Sequence, residues 1–292
     1  MHASRAHRDR LVVVFVITLA VLAIEVVGAA MSGSLALLAD AGHVLTDTVG
    51  IGLALGAMWF AGRPASRDRT FGYLRLEILA AVLNAVLLLA VATIVIVEAI
   101  RRIDSPPDIA TGTMLVVAVI GGVGNLIGML LLHAPQRDSL NMRGAYLELM
   151  GDLLGSVMVV IAAIVIAVTG WTPIDALASI AIGVLILPRT LRLLREAVDI
   201  LLEASPKGLP LDEVRQHILD APGVADVHDL HAWTITSGMN VVSAHVVIEP
   251  GADPPAVLDE LCRCLSGDFD IDHSTFQLET TDRRRLEERA HA

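Results

Sequence analysis

The chain has 292 residues, 54% of them hydrophobic and 18% charged, and its mean hydropathy of +0.67 excludes an ordinary soluble protein. Its net charge of -11 is uneven: residues 204–292 hold 16 acidic against 7 basic side chains, and residues 1–203 hold 16 against 14. An acidic C-terminal part argues against a nucleic-acid partner, and Cys262 with Cys264, the two cysteines, read as reduced packing thiols rather than a disulfide framework.

Six apolar stretches are long enough to cross a bilayer, over approximately 11–31, 35–61, 77–100, 110–132, 143–169 and 174–203. The first is expected to be a retained helix, because it is too long for a signal peptide and lacks a small-residue cleavage site. Basic residues cluster at Arg5, Arg8 and Arg10, at Arg63, Arg67, Arg69 and Arg75, at Arg137 and Arg143, and at Arg192 and Arg195. This alternation predicts both termini in the cytoplasm, although Arg101 and Arg102 fall on the opposite side. Gly52 with Gly56 and Gly124 with Gly128 have the four-residue spacing that lets helices approach closely. Pro188 is expected to kink the sixth span where Arg189 begins a basic stretch.

Beyond Glu203 the pattern changes to that of a soluble domain. A short amphipathic helix around Leu211–Leu219, a strand over 225–236, a turn at 237–240, a strand over 241–248, a helix over 254–265 and a strand over 271–278 follow one another. The order αββαβ predicts a small ferredoxin-like sheet with helices on one face. Strict alternation sets Val242, Ala244, Val246 and Ile248 toward its core, with His245 on the other face, and places Asp229, His231 and Trp233 together on one face. The expected layout is therefore a membrane all-α six-helix bundle (1–203), a linker (204–207), a C-terminal α+β cytoplasmic domain (208–281) and a flexible tail (282–292).

The chemistry sits in the second and fifth spans. His43 and Asp47 are spaced i, i+4 in one, Glu148 and Asp152 in the other. Four residues advance an α-helix by about 6 Å and about 40°, so each pair shares a face. An ionisable group within an apolar span is costly and by default functional, and two such helices side by side could offer one imidazole and three carboxylates to a single cation. Glu25 and Glu98 read equally well as interhelical hydrogen-bond partners, Asp40 as an acceptor for the imidazole of His43, and Asn84 and Asn125 as packing contacts.

Five segments carry a resemblance to a known family. Gly33–Asp47 and Asn141–Asp152 resemble the second and fifth transmembrane helices of the cation diffusion facilitators, the zinc-transporter family. Thr70–Tyr73 with Arg75 and Glu77, His228–Trp233 and Phe276–Glu279 match its other motifs, so the likeness covers nearly the whole chain. It implies a homodimeric exporter, embedded in the cell's inner membrane, that moves a divalent metal, usually zinc, out of the cytoplasm in exchange for protons. The implied four-ligand transport site is His43, Asp47, Glu148 and Asp152, with Glu148 standing where a histidine is usual. An empty site with three ionised carboxylates is expected to hold at least one proton, on Glu148, with His43 as a second proton carrier.

The resemblance also implies a regulatory metal position at His231, His245 and His273, with Asp272 competing for the last place; His217 and His228 are left as surface residues. Zinc is thus expected both as transported substrate and as a ligand of the cytoplasmic domain. A histidine-rich loop is absent between spans four and five, where only His133 occurs. Because one nitrogen and three oxygens form a harder site than usual, selectivity for manganese, cobalt, cadmium or iron stays open beside zinc. An enzyme is not expected, since no His-Glu-x-x-His metallopeptidase motif occurs in the sequence. A membrane-anchored metal sensor would not need ligands at mid-membrane, and a cation channel would need a continuous polar pore.

Overall fold

The computed structural model describes residues 2–134, 140–271 and 273–287; Arg137, Asp272 and residues 288–292 lie outside the described residues. Six long helices come first: α1 (His2–Ser32), α2 (Leu35–Ala61), α3 (Leu76–Asp104), α4 (Thr111–Leu132), α5 (Leu140–Thr169) and α6 (Pro173–Leu201). All six are long and apolar enough to cross a bilayer, where a helix satisfies its backbone polar groups internally. Breaks fall where the backbone demands them. Gly33, with φ of +71°, separates α1 from α2, and Gly170, also at +71°, ends α5. Pro106 and Pro107 follow α3. Pro188 lies inside α6, which continues unbroken around it.

The chain divides into two compact units, Met1–Leu55 with Ala81–Leu194 and Gly56–Ala80 with Arg195–Ala292. In the first, Leu35, Leu37, Met114, Val159, Ala163 and Ile182 belong to one buried cluster drawn from α2, α4, α5 and α6. Small residues let the helices close up: Gly124 abuts Val21 of α1, and Gly128 abuts Leu149 of α5. A Cβ added at Gly52 or Gly56, expected to act likewise, would meet no atom of the described residues within 4 Å. Leu38, Leu55, Ile94, Val116 and Ile161 are among many large apolar side chains left exposed on the helices, an arrangement suited to lipid and unsuited to water.

The start of α2 is fixed from a distance. The carboxylate of Asp175, in the first turn of α6, accepts from Ser34 Oγ at 2.5 Å and from the backbone amides of Leu35 at 2.7 Å and Ala36 at 3.3 Å. Ser34 Oγ also lies 3.1 Å from the Leu37 amide and serves as a local cap. Amide donors orphaned by the helix start are thus bonded, and α2 is held where its polar residues must point.

The second unit contains α7 (Leu211–Leu219), β1 (Val224–Thr236), β2 (Met239–Ile248), α8 (Pro254–Phe269), β3 (His273–Glu279) and α9 (Thr281–Glu287). Its sheet runs β1-β2-β3, with β1 and β2 antiparallel and β2 and β3 parallel. The αββαβ order matches the sequence reading, and α8 supplies the crossover between the parallel strands. Val214 and Ile218 of α7, Leu261 and Leu265 of α8, and Val242, Ala244 and Val246 of β2 form its core. Helix α8 runs beyond the expected 265 and ends at Asp270, whose φ of 55° caps it. Val241 and Val247 are also buried, so the second face of β2 is not simply open.

The segment before α3 belongs to this unit. Glu77 accepts from Thr236 and, at 2.8 Å, from Ser237 at the β1–β2 turn; Arg75 pairs with Glu203 at 2.8 Å, and Phe71 lies edge-on to the His273 ring. Residues 281–287, where the sequence reading begins a flexible tail at 282, form α9, and its Arg284 pairs with Asp226.

Candidate metal centres

On α2, His43 and Asp47 stand one turn apart, and His43 Nε2 lies 3.4 Å from Asp47 Oδ2. The same nitrogen is 3.7 Å from Asp152 Oδ1 on α5. One donor atom from each of the three residues lies within 4.8 Å of the other two. Zinc held by bonds of about 2.0–2.1 Å sets tetrahedral donors roughly 3.3 Å apart, so the trio needs little closure to grip one ion. Asp47 Oδ2, Asp152 Oδ1 and His43 Nδ1 are buried and have no hydrogen-bond partner among the described residues. Converging acceptors without donors are costly in a dry interior unless protons or a cation occupy the space between them.

Glu148 belongs to the same cavity but not to the tight trio. The cavity, about 430 Å³, is lined by Asp40, His43, Asp47, Glu148, Asn84 and Arg189 among others. Within it the Glu148 carboxyl neighbours Asp47, while its Oε1 lies 3.9 Å from Arg189 Nη2 of α6. Asp40 does not serve the imidazole: its Oδ2 accepts from Ser156 Oγ at 3.3 Å, which leaves His43 Nδ1 unmet. Glu98 bonds Arg102 one turn on, at 3.0 Å, as a helix pair does.

A second cluster forms on the sheet. His228 and His245 are direct cross-strand partners, with ring centroids 5.2 Å apart. Buried Glu279 of β3 reaches both, through Oε1 to His245 Nδ1 at 2.9 Å and through Oε2 to His228 Nε2 at 3.3 Å. Donors of these three residues also lie within 4.8 Å of one another. Of the expected trio, only His245 is here. His231 is exposed and bonds Asp229 at 2.9 Å. His273 aligns with Val241, four residues along β3 from the Gln277 that faces His245, a separation of about 13 Å at strand rise.

A bulge explains the difference. Between His228 and His231 the register shifts, with His231 opposite Ser243, and Asp229 takes a left-handed φ of 52°, a conformation that Asp tolerates better than most residues. The extra residue breaks the alternation and turns His228 to the same face as His245. The His228–Trp233 and Phe276–Glu279 motifs held the signal; period-two counting hid it.

Comparison with known proteins matches the chain in two parts. Residues 11–202 match the cation efflux transmembrane domain, and residues 206–281 match the cation efflux protein cytoplasmic domain. The chain belongs to the cation efflux family, the cation diffusion facilitators. This cation efflux protein is therefore a multi-pass membrane transporter. It is 49% identical over 256 residues to the metal cation efflux system protein CzcD of Cupriavidus metallidurans, covering 87% of this chain and 81% of that one. To the zinc transporter ZitB of Escherichia coli it is 41% identical over 272 residues, covering 92% and 87%. To the cadmium, cobalt and zinc/H(+)-K(+) antiporter of Bacillus subtilis it is 37% identical over 287 residues, covering 96% and 91%. Among solved structures, the metal-bound C-terminal domain of the CzcD transporter from Cuprividus metallidurans is 45% identical, covers 24% of this chain and 97% of that one, and has a TM-score of 0.24.

Proposed function

We propose that this cation efflux protein exports divalent metal, zinc first, from the cytoplasm across the inner membrane in exchange for protons. It works as a homodimer with both termini cytoplasmic. The observation that carries this reading is the convergence of Asp47 Oδ2 and Asp152 Oδ1, neither with a hydrogen-bond partner among the described residues, on His43 Nε2 between α2 and α5. Glu148, in the same cavity, would complete a four-ligand site on a small movement of its carboxyl. Metal arriving from one side displaces protons from these lone pairs, and protons arriving from the other displace the metal. Coupling is then competition for shared donors, with His43 and Glu148 as carriers.

Relatives named for zinc, and for cadmium, cobalt and zinc, support zinc as the first substrate. The oxygen-rich donor set favours a second reading, the same exporter with wider tolerance for cadmium, cobalt, manganese or iron. The His228, His245 and Glu279 cluster is read as a further zinc position that regulates the cytoplasmic domain. The deciding experiment is metal flux into proteoliposomes under an imposed pH gradient, scanned over these ions with and without potassium. The native chain should give saturable zinc flux that collapses with the gradient, and Asp47→Ala should lose it at least tenfold. Gradient-independent, unsaturable flux would replace the carrier with a channel.

A further inference from the structure

We propose that Glu25 is a proton-exchange group of the transporter, separate from the metal ligands, protonated while the metal site is empty and ionised when a divalent ion fills it. The proposal rests on the export reading above. Glu25 is wholly buried on α1, and neither carboxyl oxygen has a hydrogen-bond partner among the described residues. The interhelical hydrogen bond that would explain it as a packing residue is therefore missing.

Among the described residues no cation pairs with it. The charged groups that act on it are Asp40 from α2 and Asp152 from α5, both acidic, and α4 carries no charged residue. An unpaired carboxylate beside two further acids in an apolar bundle is untenable, so the empty protein keeps Glu25 neutral. Room for it is made on purpose. A Cβ on Gly121 of α4 would collide with Glu25 Oε1 and would lie 3.6 Å from Ser156 Oγ, so the carboxyl and the serine hydroxyl border the same gap beside Gly121. Ser156 in turn donates to Asp40, and Asp40 lines the metal cavity. A Cβ on Gly155 of α5 would overlap Asp40 Oδ1, so two glycines clear space for two carboxyl groups.

Ser156, bordering the Glu25 gap, and Asp40, bonded to it, thus lie between Glu25 and the cavity. When a divalent ion binds Asp152, it cancels the negative field that holds the proton on Glu25. The Glu25 O–H bond then breaks, the proton passes to cavity water, and the electron pair stays on the carboxylate. Metal release restores the field and recaptures a proton.

The test is a proton count. Zinc is added to the purified full-length chain in detergent, in weak buffer with a pH indicator, while a competing dye reports zinc bound. Glu25→Gln should still bind zinc and release about one proton fewer per zinc than the native chain. An equal count overturns the role of Glu25 alone; no proton release from the native chain overturns the exchange reading beneath it. Should Glu25→Gln not fold, infrared difference spectra of Glu25→Asp carry the test. The protonated-carboxyl band that zinc removes from the native chain should move in the variant, and an unmoved band overturns the proposal.

Discussion

Arg189 is the cationic residue at the proposed metal site. It reaches from α6 to within 3.9 Å of Glu148 and lines the cavity that holds His43 and Asp47. A fixed positive charge there opposes an arriving cation and offers Glu148 another partner. The guanidinium is 66% exposed, so solvent screens most of its effect and leaves about 0.5–1 kcal/mol. Arg189→Gln should accordingly tighten zinc binding about two- to fivefold, read by dye competition, with a weaker dependence on salt. Weaker binding would instead make Arg189 the residue that holds Glu148 in position. Nothing in the sequence announced this contact, because Arg189 reads there as the first of a basic run. The approach of His43, Asp47 and Asp152, with Glu148 in the cavity beside them, could be expected because ionisable residues in an apolar span stand out and i, i+4 spacing fixes their face. His228 could not, because a bulge at Asp229 reverses the face that alternation assigns.

At the scale of elements, α2 matters most, since it carries His43 and Asp47 and its start is tied to α6 through Asp175. Asp175→Ala would remove one buried acceptor group from three donors, two of them amides at a helix start. The expected loss is about 2–3 kcal/mol, above an ordinary cap because the group is buried and charged. Asp175→Asn, which keeps one oxygen acceptor, should lose less. Thermal melting in detergent gives the order native, Asn, Ala; equal melting of all three would show that Ser34 alone suffices as cap. Because α2 is displaced from its start, Asp175→Ala should also weaken zinc binding, although it touches no ligand. The elements themselves were largely legible. Long apolar runs cannot be anything but helices in lipid, and the α2 bounds expected from the sequence, 35–61, are those observed. Ends set by tertiary contacts were not: α8 continues to Phe269 and β3 starts at His273, and the Asp175 tie spans 141 residues from Ser34.

For the whole molecule, the telling feature is that the two donor clusters share no residue and no secondary-structure element. One joins α2 to α5 and the other joins three strands of one sheet. If each takes zinc, each stabilises the chain by its own binding free energy, about 2.7 kcal/mol at one hundred times its dissociation constant. Zinc titration of thermal stability should then rise in two steps. His228→Ala with His245→Ala should remove one step, Asp47→Ala the other, and the combined variant both, with the losses adding to within about 0.5 kcal/mol. In the absence of zinc the histidine substitutions should cost stability by themselves, about 1–3 kcal/mol, since they leave the buried carboxylate of Glu279 with Gln277 and without its two imidazole partners. The size of any departure from additivity is then the coupling between the sheet cluster and the bundle cluster. Strict additivity would confine zinc on the sheet to stabilising its own domain, whereas a combined loss smaller than the sum would mean that the sheet's zinc strengthens the grip of the bundle on its cargo.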